Sequence, residues 1–352
     1  MPVLDCVIIG AGQAGLCFAK YLKDLNRSFV ILERDKIGSA WLKRPVDMKL
    51  FTSRQFCGLP GLSFPGDKDG FPLVAEVAAY LQNYARELAL PVKERACVVG
   101  VKKNECLFTI TLENGDVIES KSLVNATGSN QVCEVPTVSK DLDSGVTQLI
   151  AENQSFDAIA DTDHVVVVGD GASGRQIAGL LAARCRAVTI ATGTPRGLPP
   201  NRILGKDIFW WLNKLGVLFA DRDSLVAKVL KKRNPVPCKE FNNLKLEKLG
   251  VSIQPRMVSC SEKTVTFSNQ SSCQVDAIVW ATGYSDATEW LQIENSVVDG
   301  KFEEKYGVCP EPGLFLVGRK WLSCRASELI MGVERDVKLV IPKLSQYLES
   351  AS

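Results

Sequence analysis

The sequence predicts an α/β fold of two Rossmann-like dinucleotide-binding domains, the second inserted into the first, on three observations. A glycine-rich turn follows an apolar run near the N-terminus, a second such turn follows another apolar run mid-chain, and two short Ala-Thr-Gly strand ends bracket that second turn. In the first, Cys6-Val7-Ile8-Ile9 stops at Gly10-Ala11-Gly12-Gln13-Ala14-Gly15, and Leu16, Ala19, Leu22 and Leu25 then recur at helical spacing. Glycine at these three positions has distinct uses: a tight turn at Gly10, close approach of a pyrophosphate at Gly12, and close helix–strand packing at Gly15. The helix start offers free N–H groups to an anion. A second strand, Ser28-Phe29-Val30-Ile31-Leu32, ends in Glu33, where an acid accepts hydrogen bonds from ribose hydroxyls.

The mid-chain unit repeats the pattern. Val165-Val166-Val167-Val168 runs into Gly169-Asp170-Gly171-Ala172-Ser173-Gly174, Ile177, Leu180 and Leu181 mark a helix face, and Ala187-Val188-Thr189-Ile190-Ala191 forms the next strand. That strand ends in Thr192 with no acid after it, and Arg196 follows. Arginine and hydroxyl groups suit a 2′-phosphate that a carboxylate would repel, so this unit is expected to prefer NADPH, with NADH possible. The bracketing segments are Leu123-Val124-Asn125-Ala126-Thr127-Gly128 and Ile278-Val279-Trp280-Ala281-Thr282-Gly283. They predict a discontinuous outer domain, residues 1–157 and 285–352, around an inserted domain, residues 158–284. Near the C-terminus, a strand and turn ending at Gly318 precede a helix expected from about Ser327, whose N-terminus suits the pyrimidine end of a flavin. The outer domain is therefore expected to hold FAD.

Composition narrows the class. With 352 residues, 46% hydrophobic and 23% charged, and a net charge of +2, the chain is globular and has no nucleic-acid surface on charge grounds. No run is apolar enough for a membrane span, and the chain enters a strand without a cleavable leader, so a cytoplasmic location is expected. The twelve cysteines include no C-x-x-C pair, and a single histidine, His164, leaves little for metal or nucleophile chemistry; no metal site is expected. The cysteines read as reduced core residues.

Taken with Gly38-Ser-Ala-Trp41, Leu50-Phe-Thr-Ser-Arg-Gln-Phe-Cys-Gly-Leu-Pro60, Gly70-Phe-Pro72, Leu204-Gly-Lys-Asp-Ile-Phe-Trp-Trp-Leu212 and Gly332-Val-Glu-Arg-Asp336, the chain resembles the class B flavin-dependent monooxygenases over nearly its whole length. The short bacterial flavin-containing monooxygenases are the nearer likeness and the plant auxin-forming enzymes the more distant one. The resemblance implies FAD at Gly10, Gly12, Gln13 and Gly15, with Glu33 on its ribose, Val98 at adenine, Trp41 and Thr52 along the flavin, and Gly128 and Gly318 at the cofactor. It implies NADPH at Gly169, Gly171, Ser173 and Gly174, with Thr192 and Arg196 near the 2′-phosphate. The implied reaction is oxygenation of a small lipophilic substrate by molecular oxygen through a flavin C4a-(hydro)peroxide, at sulfur or nitrogen or by Baeyer–Villiger oxidation. One departure stands out: Leu149 occupies the place of a signature histidine. Gln55, the nearest side-chain amide to Thr52, is the catalytic candidate. A reductase or oxidase releasing hydrogen peroxide, and a nucleotide sensor without turnover, remain alternatives. Residues 203–220, rich in Trp and Leu, read as a helix packed on the nucleotide domain, or else as a lid, a homodimer contact or a membrane-surface face.

Overall fold

A computed structural model describes residues 2–153 and 155–350. Two sheets organise it. The first has the order Val92–Lys93, Phe29–Leu32, Leu4–Ile9, Val117–Asn125, Leu107–Leu112, Val98–Asn104, with Leu314–Leu316 parallel to Val117–Asn125. Ile8 sits between Ile31 and Val124 in parallel register. Such strands are covered on both faces and so read as continuous apolar runs. On one face pack the helices Gln13–Asp24, Val74–Glu87 and Ile330–Ser350, with Leu16, Leu81 and Val337 fully buried. On the other lie Phe108, Ile110 and Leu291. The last helix begins at Ile330, three residues beyond the expected Ser327, because Ser327 is spent on the turn before it, its Oγ accepting from the Ser323 and Cys324 N–H groups.

The second sheet is wholly parallel, in the order Val251–Gln254, Ala187–Ala191, His164–Val168, Ala277–Trp280, Thr147–Ile150. The helix Ala172–Ala182 covers one face and an antiparallel meander, Met257–Ser261, Thr264–Phe267 and Ser272–Gln274, covers the other. Thr147–Ile150 belongs to this sheet although it precedes residue 158. Leu149 pairs with Val279 there and is packed into that sheet's core. His164 lies one strand further in, on the far side of Ala277–Trp280, its Nε2 3.0 Å from Thr189 Oγ1.

The chain crosses between the two sheets twice, and the crossings hold one another. Tyr284 pairs with Cys133 in a short antiparallel ladder, and Gln131 accepts from Ala287 N–H while donating to the Gly128 carbonyl. Arg319 donates to the same Gly128 carbonyl and to Asp286, fastening both crossings to the turn after Leu314–Leu316.

Residues 203–220 do not pack on the nucleotide unit from which they emerge. Ile208, Phe209 and Leu218 bury themselves against Cys324, Ala326 and Leu329, with Phe51 stacked on Phe209 at 5.8 Å. Asp207 fixes this docking: one carboxylate oxygen caps the helix Ile208–Lys214 through Phe209 N–H (2.8 Å), the other accepts Ser53 N–H (2.7 Å). A buried carboxylate with two backbone donors ties the two units together.

Candidate active site

Each glycine turn builds half of the site. An added Cβ at Gly10, where φ is +103°, would stand 2.7 Å from the Ala126 carbonyl oxygen, and one at Gly15 would stand 2.0 Å from that of Gly10. Those two glycines let strand, helix and the first Ala-Thr-Gly end lie in contact. At Gly12 a Cβ would meet nothing within 4 Å. The space beside it belongs to a cavity of about 420 Å³, lined also by Gly10, Gln13, Glu33, Trp41, Val98, Gly128 and Gly318. Glu33 is held at its rim, Oε2 accepting Ala11 N–H (2.8 Å) and Oε1 Asp35 N–H (3.1 Å). Carboxylate lone pairs remain for further donors.

The second turn repeats these contacts closely. A Cβ at Gly169 would approach the Ala281 oxygen to 2.3 Å, one at Gly174 would reach the Gly169 oxygen at 2.0 Å, and one at Gly171 would again meet nothing. Gly171, Ser173 and Gly174 open onto a cavity of about 320 Å³ that Thr52 and Arg196 also line. Gln13, Trp41 and Arg44 border both cavities, so the two spaces meet at one wall. Arg44 lies over the Trp41 ring, its guanidinium carbon 5.3 Å from the centroid, and its buried Nε has no hydrogen-bond partner among the described residues.

Around the second turn the charges are arranged by a residue that sequence reading passed over. Asp170, buried inside the glycine turn, meets Arg196 Nη2 through Oδ1 (3.5 Å) and Arg175 Nη2 through Oδ2 (3.5 Å). Arg175 also donates to the Asp170 and Phe241 carbonyls. Gly193 N–H points at Asp170 Oδ1 (3.4 Å). Arg196 Nε is buried and has no hydrogen-bond partner among the described residues, an orphan donor of the kind a bound anion satisfies. The signal available was the acid in Gly-Asp-Gly, whose side chain can reach the next strand end.

Thr192, Gln55 and Leu149 stand elsewhere. Thr192 lines neither cavity; its hydroxyl donates to the Gln254 carbonyl (2.9 Å). Gln55 lines neither cavity as well. It is exposed on the turn Arg54–Phe56, which carries it outward, and its Nε2 donates to Ser53 Oγ and Asp69 Oδ1. Leu149 is half-buried on the edge strand of the second sheet, packed against that sheet's core. Thr52 does reach the site, buried, with its Oγ1 3.5 Å from Cys57 Sγ. Burial pushes the Cys57 thiol up to about 11, so it stays protonated and unreactive at neutral pH. Every described cysteine is free.

An orphan donor beside one turn and open space beside both glycines fit two dinucleotides laid against the wall of Trp41 and Arg44. Residues 7–199 match the model of the pyridine nucleotide-disulphide oxidoreductases. The uncharacterized oxidoreductase CzcO of Bacillus subtilis (strain 168) is 33% identical, over 97% of this chain and 99% of the relative. The probable indole-3-pyruvate monooxygenase YUCCA8 of Arabidopsis thaliana is 28% identical, over 90% of this chain and 85% of its own. In fold, a flavin-containing monooxygenase from Stenotrophomonas maltophilia superposes with a TM-score of 0.81 at 24% identity, covering 99% of each chain. The chain belongs to the pyridine nucleotide-disulphide oxidoreductase family.

Proposed function

We propose that the protein is an FAD-dependent, NADPH-oxidising monooxygenase that oxygenates a small lipophilic substrate at sulfur or nitrogen, or inserts oxygen beside a ketone. The observation that carries this is the shared wall: the space beside Gly12 and that beside Gly171 meet at Gln13, Trp41 and Arg44. FAD belongs to the unit built from both chain ends and NADPH to the inserted unit. The first crossing, at residues 128–134, falls ahead of residue 157; the second, at residues 282–287, falls near residue 285. Bound FAD supplies the hydride acceptor and the oxygen-activating centre.

The chain's own groups do the rest. Gly12 and Gly171 admit each pyrophosphate to the helix N-termini behind them. Arg196, steadied by Asp170, takes the 2′-phosphate. Leu50, Phe51, Leu329 and Ile330 line the second cavity with apolar surface that excludes water from the reacting region. Thr52 offers one hydroxyl there. Names among the relatives support the reading, since YUCCA8 is described as a monooxygenase.

Anaerobic NADPH should bleach the flavin, and readmitted oxygen should appear in product. Labelled oxygen with a panel of sulfides, amines, ketones and 2-oxo acids, read by mass spectrometry, tests this. Stoichiometric hydrogen peroxide with no labelled product would instead establish the oxidase reading. That second reading draws on Leu149, which places no polar group where the resemblance expects a histidine.

A further inference from the structure

We propose that residues 203–233 form a docking surface for anionic phospholipid bilayers. The three most exposed large apolar side chains of the described residues are Leu204 (86%), Leu225 (80%) and Leu215 (71%), and all lie on this one stretch. Water-facing leucines cost free energy, and so does the backbone beneath the first of them. Leu204 and Gly205 are the two loop residues of a hairpin between Arg202–Ile203 and Lys206–Asp207, with φ of +50° and +76°. A two-residue turn of this kind favours asparagine at its first position, because a branched apolar residue is strained at positive φ. A leucine that is both strained and exposed at a hairpin tip breaks two local rules at once, and such violations mark functional positions. Trp211 Nε1 donates to the Ile203 carbonyl and props the hairpin up.

Charge identifies the occupant. Between residues 203 and 233 basic residues outnumber acidic ones seven to three, whereas the whole chain is nearly balanced at 42 to 40. Asp207, one of the three, is buried in its capping role. The helix Leu225–Arg233 presents Leu225, Val226 and Val229 to solvent and carries Lys228, Lys232 and Arg233 beside them, none in an ion pair among the described residues. Apolar side chains flanked by unpaired cations suit an interface of acyl chains under anionic headgroups. A second copy would bring the same positive charge against itself, which disfavours self-association on this face. No described helix is long and apolar enough to cross a bilayer, so attachment is to its surface. The helix ends at Asn234, and residues 234–237 line the second cavity. Docking would set the cavity mouth beside the lipid phase, where a lipophilic substrate concentrates; only that consequence rests on the proposed activity.

Vesicle sedimentation of the FAD-loaded protein tests the proposal without turnover. Vesicles of phosphatidylcholine with about one-third phosphatidylglycerol should carry the protein down at low salt, and high salt should release it. Lys228→Glu and Lys232→Glu should each weaken binding at least about fivefold, the equivalent of about 1 kcal/mol per charge near the surface. Leu204→Asn suits its turn better than leucine, so its melting temperature should hold or rise while vesicle binding falls. Equal binding to pure phosphatidylcholine vesicles, or none to either, overturns the proposal. So does a concentration-dependent dimer, seen by sedimentation velocity, that Leu204→Asn and Leu225→Ser abolish.

Discussion

The two dinucleotide units share their glycine geometry and differ in where they keep a carboxylate. Gly10, Gly12 and Gly15 have the same steric reasons as Gly169, Gly171 and Gly174, down to the 2.0 Å clash that a Cβ would make at the third position of each. In the first unit the acid stands at the end of the second strand. Among the described residues Glu33 is met by backbone N–H groups alone, and it faces the cavity as an acceptor. In the second unit the same strand position is Thr192, whose hydroxyl is spent on Gln254, and the acid has moved into the turn as Asp170, matched by two guanidinium groups. Glycines make a dinucleotide site; the placement of charge decides which dinucleotide. A free carboxylate welcomes ribose hydroxyls, while a carboxylate that holds arginine in place favours a phosphate.

The largest expected effects test the shared half of this comparison. Gly12→Val should give a folded, colourless protein, because its side chain enters the open space beside the first turn, where the proposed FAD would lie. Gly171→Val should keep flavin yet lose reduction by NADPH. Gly15→Ala should fail differently, by lowering stability with or without flavin, since its Cβ strikes backbone. Absorbance at the flavin bands and circular dichroism melts read all three. Stoichiometric flavin in Gly12→Val would remove FAD from the first unit.

Next comes the half that differs. Asp170→Ala leaves Arg175, itself buried, without its carboxylate, and breaking a buried pair in this way costs about 3–5 kcal/mol. Chemical denaturation should show that loss, with NADPH binding impaired in whatever remains folded. Arg196 is less buried and is available to solvent once freed. Arg196→Ala should therefore leave stability nearly unchanged while weakening NADPH relative to NADH by about 1.5–3 kcal/mol, the worth of hydrogen bonds to a charged group. Equal losses for both coenzymes would show that Arg196 does not meet the 2′-phosphate.

What the sequence made legible follows the same division. The glycines and Glu33 could be read because each requirement is local: a turn, a close approach, an acid at the end of a strand. Arg196 was readable as a candidate, and the acid in Gly-Asp-Gly was visible too, but their pairing was not, since it depends on two loops meeting at the sheet edge. Thr147–Ile150 is short and only partly apolar, so nothing in its pattern announces a strand; a parallel neighbour, Ala277–Trp280, recruits it. Gln55 stands three residues from Thr52 in sequence, yet one tight turn at Arg54–Phe56 sends it to the surface. The aromatic run at 203–220 was visible as apolar. That it docks across the molecule rests on Asp207 and Ser53, which only the fold brings together.

The smallest expected effect comes from setting Asp170 against another buried carboxylate, Asp336, in the first unit. Asp170 is matched by cations; among the described residues Asp336 has hydroxyls alone, with Ser323 and Ser327 both donating to Oδ1 and Oδ2 left without a partner. Burial without a paired cation pushes the Asp336 carboxyl up to about 6, against the pull of the two serines and of Arg335, with Glu304 adding to the rise. Its folded value therefore lies above its unfolded one. The stability it contributes is full below about 4 and is lost as pH rises through about 6, because the unfolded chain ionises this group more readily. Between pH 5 and 8 the loss amounts to about 1.4 kcal/mol, one unit's worth of linkage. Asp336→Asn keeps an acceptor for the serines and places an uncharged group where the proton sits, so its difference from the parent should shrink as pH rises and turn in its favour near pH 8. Denaturant midpoints of both proteins across that range measure the slope. Parallel profiles would mean that Asp336 does not change its protonation on unfolding, and that a buried carboxylate in this fold survives on hydroxyl donors as well as Asp170 does on arginine.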